Sequence, residues 1–325
     1  NYMINTIKFF IGDQLIEECP GEWIYLYNNR KLNIKKQHGY LKMIGDMTSL
    51  TSYDNKKKHP QRLYIPIPLW FCKYNNTYLP LITLNNTNIN ITVSMNKFTD
   101  CCFFESTAVI KRIPKLNCHL IAEYLYIEPS ERKLIVQQKH EILIETLQFN
   151  DDIFITKNNI TSDGKYKIRI DIRNSCKELI WILQDEKFTN GTQPNGEKKW
   201  HNYSFNFTTG DGIPAKTSKI LFYSRDRETE KDSMFYNYVQ PYSYHTNILE
   251  DGILSYNFAL YPEKMQPSGS ANLGQITDAF LEIKLSDDVI NNLTANNAVY
   301  RSRLYAITYN TLRILSGMGG LAYFS

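Results

Sequence analysis

The chain is 325 residues long, with 42% hydrophobic and 22% charged residues and a formal charge of +4. That length suits two domains and can bury a core without disulfide staples. No apolar run approaches the roughly 18 residues that would cross a bilayer as a helix. With 16 Phe and 23 Tyr the chain is not disordered, and its 37 basic residues are too dispersed for a nucleic-acid surface. It is rich in Ile (36) and Asn (31) and has only 15 Gly, the signature of AT-rich codons. Ile, Tyr, Phe and Thr favour strands, while Asn favours turns.

In chain order, a strand is expected near 4–11 and a helix over 21–32, where Trp23, Leu26 and Tyr27 fall at helical spacing. Strands follow near 62–70, 78–84, 88–95, 106–113 and 117–127. Pro66 and Pro68 alternate along the first of these, so their missing N–H groups mark an edge or a bend. Pro129 and Ser130 suit the start of a short helix over 130–139. That helix separates two strand-rich blocks and sets domains of 1–136 and 137–325. The second block offers strands at 141–147, 165–172, 255–261, 280–285 and 303–314, and a weaker helix over 228–236. Lys165 to Ile172 alternates polar and apolar almost throughout. Asp163-Gly164, Asn190-Gly191, Asn195-Gly196, Asp211-Gly212 and Asp251-Gly252 supply the positive φ of tight turns. The pattern is all-β, in antiparallel sandwiches. Segments 189–199 and 291–297 read as exposed loops.

No pattern for chemistry emerges. The six cysteines (19, 72, 101, 102, 118 and 176) fit no zinc spacing and read as reduced thiols. The six histidines stand alone, so no metal and no cofactor is expected. Asp151-Asp152, Asp287-Asp288 and the run Lys56-Lys57-Lys58-His59 read as solvated loop residues. The cluster Gly317-Met318-Gly319-Gly320 reads as close backbone packing at a strand end. Eight N-x-[ST] sequons occur, of which Asn190, Asn202, Asn206 and Asn292 are the candidates for glycosylation.

Several segments together resemble the major capsid protein family of the nucleocytoplasmic large DNA viruses. They are Pro60 to Phe71, with Pro66, Pro68 and Trp70, followed by Pro80; Ser130-Glu131-Arg132; and Phe235 to Tyr242, with Gln240 and Pro241. Gln266-Pro267-Ser268-Gly269 follows, and then Tyr309-Asn310-Thr311-Leu312-Arg313 leading to Gly317, Gly319 and Gly320. The residue bias is similar to that of giant viruses of the mimivirus kind. The resemblance implies two consecutive jelly rolls with a few short helices, and a structural rather than enzymatic role. It implies homotrimers with a pseudo-hexagonal outline that tile an icosahedral shell assembled in the host cytoplasm. Partners would be neighbouring capsomers and minor capsid and penton proteins, without direct nucleic-acid contact or a membrane span. A transient scaffold like that of poxviruses is the alternative within the same fold, and a jelly-roll carbohydrate-binding protein the alternative from a different class. The family's opening strands of the first barrel are absent, so the biological chain is expected to extend upstream of Asn1.

Overall fold

The computed structural model describes residues 2–52, 58–74, 76–102, 113, 115–193 and 196–323. The strand expected over 106–113 (but for Ile113), Lys56-Lys57, the Asn75 sequon and Asn195 lie outside these residues.

In the first unit, β1 (Ile4–Ile11) and β2 (Gln14–Pro20) form a hairpin, turned at Gly12 with φ +60°. The chain then winds into α1 (Gly21–Lys31), α2 (Ile34–Ile44) and the single turn α3 (Thr48–Thr51). It returns as β3 (Ile89–Met95), giving an antiparallel sheet of order β2-β1-β3. The linking helix α4 (Pro129–Gln137) starts on a proline, whose missing N–H would have no helical partner in the first turn.

The second unit is a two-sheet antiparallel sandwich. Its strands are β4 (His140–Phe149), β5 (Ile153–Ile155), β6 (Lys165–Arg169), β7 (Ser175–Asp185), β8 (Ala215–Phe222), β9 (Arg225–Asp226) and β10 (Lys231–Asp232). After α5 (Gln240–Tyr244) come β11 (Ile253–Asn257), β12 (Ala271–Asn272), β13 (Ala279–Leu285), α6 (Asp287–Ala295), β14 (Tyr300–Leu315) and β15 (Met318–Leu321). One sheet has the order β10-β8-β13-β6, with β9 on β8. The other runs β11-β7-β14-β15, with β12 on β7 and both β4 and β5 on β14.

The second of these sheets is buried on both faces. Leu179, Trp181, Leu183, Leu304 and Ala306 point into the sandwich, against Ile168, Ile220, Leu281 and Ile283. Ile180, Ile182, Tyr305 and Ile307 point the other way, into a second core with Ile7, Phe9, Trp23, Ile24 and Leu26 of the first unit. A strand covered on both sides has no period-two signal. That is why β7, buried along almost its whole length, is absent from the sequence-based list while β6 and β13 stand out.

Several expectations need correction. Residues 62–70 are extended but join no sheet among the described residues. Pro66 and Pro68 cannot donate to a ladder, and the segment lies along the helices, with Tyr64 N donating to Met43 O (2.8 Å) and Asn28 Nδ2 to Pro66 O (3.0 Å). Residues 78–84 hold a 3-10 turn at Leu81–Thr83, closed by two bonds from Thr83 to the Pro80 carbonyl. Residues 117–127 have strand composition but no pairing neighbour among the described residues, and a ladder requires two strands. Strand β11 stops at Asn257 because Phe258 N and Ala259 N both turn to Lys177 O. The helix placed at 228–236 begins later, where Asp232 Oδ1 accepts from Phe235 N (2.9 Å), after Lys231 and Asp232 have paired with β8. Residues 291–297 are not a free loop. Ser286 caps α6 by accepting from Val289 N, Asp287 and Asp288 occupy its first turn, and Val289 and Leu293 are buried one turn apart. Nor is 189–199 freely exposed: Lys198 Nζ donates to Thr99 O (3.0 Å) and Lys199 N to Phe188 O (2.7 Å).

All six cysteines are unpaired. Cys19 and Cys176 are fully buried, and burial pushes both thiols well up from their ordinary value. A thiol reagent is therefore expected to leave these two unmodified until the protein unfolds. Their labelling in native protein at the rate of Cys118, which is exposed, would refute the placement.

Candidate functional site

The described residues hold no group of three or more His, Cys, Asp or Glu arranged for a metal ion. An enclosed cavity of about 10 Å³ beside Trp70, Tyr74, Glu145 and Tyr309 is no larger than one water needs. The chemistry of the molecule is concentrated instead in the seam between the two units, where three buried charge networks cross.

The first is centred on Glu22, at the start of α1. Its carboxylate accepts from Arg303 Nη1 (2.6 Å), Tyr305 Oη (2.6 Å) and Tyr203 Oη (3.0 Å), and Arg301 Nη2 lies 3.5 Å away. Burial pushes this carboxyl up, but Arg303 and Arg301 outweigh it and hold Glu22 below the usual carboxylate range. Arg303 also binds Asp152 through two nitrogens. Asp152 is thus a seam ligand, not the solvated loop end its sequence context suggests.

In the second network Glu17 of β2 accepts from Trp70 N (2.9 Å) and Lys73 Nζ (3.1 Å). Lys73 reaches across to the Glu145 carbonyl (3.1 Å), and the Glu145 carboxylate takes Tyr74 Oη (3.0 Å) and Lys177 Nζ. In the third, Arg30 Nη1 meets Glu178 Oε1 at 2.5 Å, and His245 Nε2 lies 2.9 Å from the same oxygen. Burial raises the Glu178 carboxyl, but Arg30 and His245 win and bring it to about 2. Rings complete the seam: Trp23 packs on Tyr305 (5.4 Å between centroids) and Tyr25 stacks on His201 (3.9 Å). Burial keeps that imidazole neutral, its pKa lowered to about 3.

Removing one partner of a buried ion pair costs about 3–5 kcal/mol, although the pair itself need not beat an apolar contact. Across the seam, the Glu22–Arg303, Lys73–Glu145 carbonyl and Arg30–Glu178 contacts tie residues of the first unit to residues of the second. Sequence reading missed them. The available signal was Lys177-Glu178, a charged pair inside the apolar run from Cys176 to Leu183.

The motif residues singled out in the sequence sit around this seam. Pro66 accepts from Asn28, Trp70 is buried on Glu17, and Pro80 is buried beneath its turn. Gln240 Oε1 accepts from Asn257 N (3.2 Å) and Pro241 O from His245 N (2.8 Å), which seats α5 on β11. Gln266 and Pro267 lie on an exposed turn that Ser268 closes by accepting from Tyr261 N (2.8 Å). Gly269 has φ +135°, and a Cβ there would fall 2.8 Å from the Phe258 carbonyl oxygen. Lys177 Nζ lies over the Tyr309 ring at 5.7 Å, and Asn310 Nδ2 donates to Tyr323 O (2.8 Å). Leu312 is fully buried, and Arg313 pairs with Glu141 at 3.2 Å near the surface.

The glycine cluster packs onto the first unit. Gly317 O accepts from Asn86 N and Thr87 Oγ1 (both 3.1 Å), while a Cβ at Gly319 would meet Leu84 at 2.6 Å and one at Gly320 would meet Gln14 at 2.7 Å. The four candidate sequons divide into two pairs. Asn202 Nδ2 donates to Asn206 O and Asn292 Nδ2 to Asp185 and Tyr300, so a glycan on either nitrogen would displace existing bonds. Asn190 and Asn206 are exposed.

A family model described as large eukaryotic DNA virus major capsid protein matches residues 131–320, and one described as major capsid protein N-terminus matches residues 1–128. The chain is similar to the major capsid protein of Phaeocystis pouchetii virus, at 26% identity over 430 residues, covering 99% of this chain and 81% of the relative. It is similar to probable capsid protein 4 of Acanthamoeba polyphaga mimivirus, at 24% identity over 426 residues, covering 99% and 79%. Both alignments are longer than this chain, so the relatives carry insertions that it lacks. Among solved structures, a chain of the PBCV-1 virus capsid superposes with a TM-score of 0.75 at 22% identity, covering 100% of this chain and 84% of the other. The Faustovirus major capsid protein does so with a TM-score of 0.72 at 10% identity, covering 97% and 72%. These likenesses give the fold, a double jelly roll.

Proposed function

Because the chain belongs to the large eukaryotic DNA virus major capsid protein family, and so is a structural subunit of a virion capsid, we propose that three copies close into a capsomer of pseudo-hexagonal outline. The observation that carries this reading is the joining of the first unit to the sandwich of the second by a shared core and three charge networks. Three copies of a rigid two-barrel subunit place six similar barrels around one axis, and a hexagonal outline tiles a flat face. Large apolar side chains left exposed on both units, among them Tyr126, Tyr242 and Leu260, are the type of surface that association covers.

In this reading the seam sets the angle between barrels, and contacts among neighbouring capsomers, each weak, add up over the lattice. Minor capsid and penton proteins would complete edges and vertices during assembly in the host cytoplasm. Light scattering of purified protein is expected to give three times the chain mass of 38.0 kDa. A stable monomer at every concentration would sink the trimer, and antibody labelling of mature particles separates a shell subunit from a scaffold that is shed.

A further inference from the structure

Residues 245–247 reach from the second barrel to the first at a single point. Asn247 Nδ2 donates to Asn29 O (2.9 Å), near the end of α1. Thr246 donates through N (3.0 Å) and Oγ1 (2.5 Å) to the two oxygens of Glu263. His245 lies between, its imidazole fully buried, with Nε2 2.9 Å from Glu178 of β7 and Nδ1 3.5 Å from Glu263. Arg30 of α1 meets the same Glu178 oxygen. The charged groups facing this histidine are therefore Glu178 on β7, Glu263 on the loop after β11, and Arg30 on α1, with Lys177 beyond Glu178.

We propose that this segment is a proton-dependent clasp: protonated His245 bridges Glu178 and Glu263 within the second barrel and so holds residues 245–247 where Asn247 reaches Asn29 of α1, and its deprotonation loosens that reach. Two carboxylates against one Arg30 leave a local charge deficit that an imidazolium fills. Once neutral, the imidazole can donate from one nitrogen only. One of the two carboxylates then loses the imidazole as a partner and keeps only Arg30 (Glu178) or Thr246 (Glu263), so the bridge between them is broken.

The sign follows from the geometry. Burial lowers the imidazole pKa, but Glu178 outweighs it and the net direction is upward from 6.5. The clasp is thus fully closed below 6.5 and is lost as pH rises through the higher folded value. On the acid side, Glu178 and Glu263 are both brought to about 2, so their contribution holds above 4.5 and is lost only as pH falls toward 2.

The test uses the intact protein and its His245→Gln variant. Hydrogen exchange, corrected for intrinsic rate, is read at residues 29–31 and 245–247 while pH is raised from 6.5. Wild-type protein is expected to lose protection there along a one-proton curve, while the variant shows weak protection with no such step. Identical profiles for the two, or a flat wild-type profile, would overturn the proposal. A variant that fails to fold leaves two measurements on proteins that do. The NMR titration of His245 in wild type must give a midpoint above 6.5, and Glu263→Gln must lower that midpoint, by roughly one pH unit. A wild-type midpoint at or below 6.5, or one unmoved by Glu263→Gln, overturns it equally.

Discussion

Glu22→Ala is expected to cost about 3–5 kcal/mol, the range for stranding the partners of a buried ion pair. Glu22 is 8% exposed and takes bonds from Arg303, Tyr305 and Tyr203. Truncation leaves the hydroxyls of two fully buried tyrosines without that acceptor, while Arg303 keeps Asp152 and so stays half-satisfied. Glu22→Gln retains shape but not charge, so it should lose less. The readout is the denaturant midpoint, with the slope m unchanged if only the seam weakens. Because α1 and the second sheet share one core, unfolding of Glu22→Ala is expected to stay a single cooperative transition at a lower midpoint. A loss below about 1 kcal/mol, the level of surface ion pairs, would show that the network adds nothing to the docking.

Two of the strands legible in the sequence, β6 and β13, have one wet face. β6 and β13 pair Ile168 with Leu281 inside and Lys167 with Glu282 outside, and their alternation is direct. β14 was legible only over 303–314, from its Tyr, Ile and Thr content rather than from an alternation, since both cores cover it. β7 was not, because two cores cover it. The failures in the first unit have another origin. Segments 62–70 and 117–127 have the residues of strands, but strand formation depends on a neighbour that no local pattern reports. The Asn residues of α6 mask its helical pattern, although Ser286 and Asp287-Asp288 form a helix start signal. As for the site, the glycine cluster points to close packing but not to what it packs on. Asn86 and Gln14 lie hundreds of positions away in sequence. The seam charges were illegible for the same reason, since Glu22 and Arg303 meet only after both units have folded.

Gly252→Ala is expected to prevent folding or to cost more than about 4 kcal/mol, the range reserved for a few named mechanisms. Two of these act together. Gly252 has φ +90°, where an L side chain is disfavoured by about 1–2 kcal/mol. In addition, a Cβ there would overlap the carbonyl of Tyr203 and come within 3.2 Å of Ser204 N, both backbone groups that cannot rotate away. Asn237 Oδ1 accepts from Gly252 N (2.8 Å), which fixes the turn from the other side and blocks its retreat. Tyr203 is in turn fully buried and bound to Glu22, so a shift of its backbone is transmitted to the seam. Gly210→Ala is the control. It has a similar φ of +78° with nothing within 4 Å, so it carries only the backbone term of about 1–2 kcal/mol. Thermal unfolding of the two variants side by side separates strain from collision. Equal losses would mean that the Tyr203 backbone yields to a methyl group, and that the corner joining the 203–212 loop to the seam is softer than its packing implies.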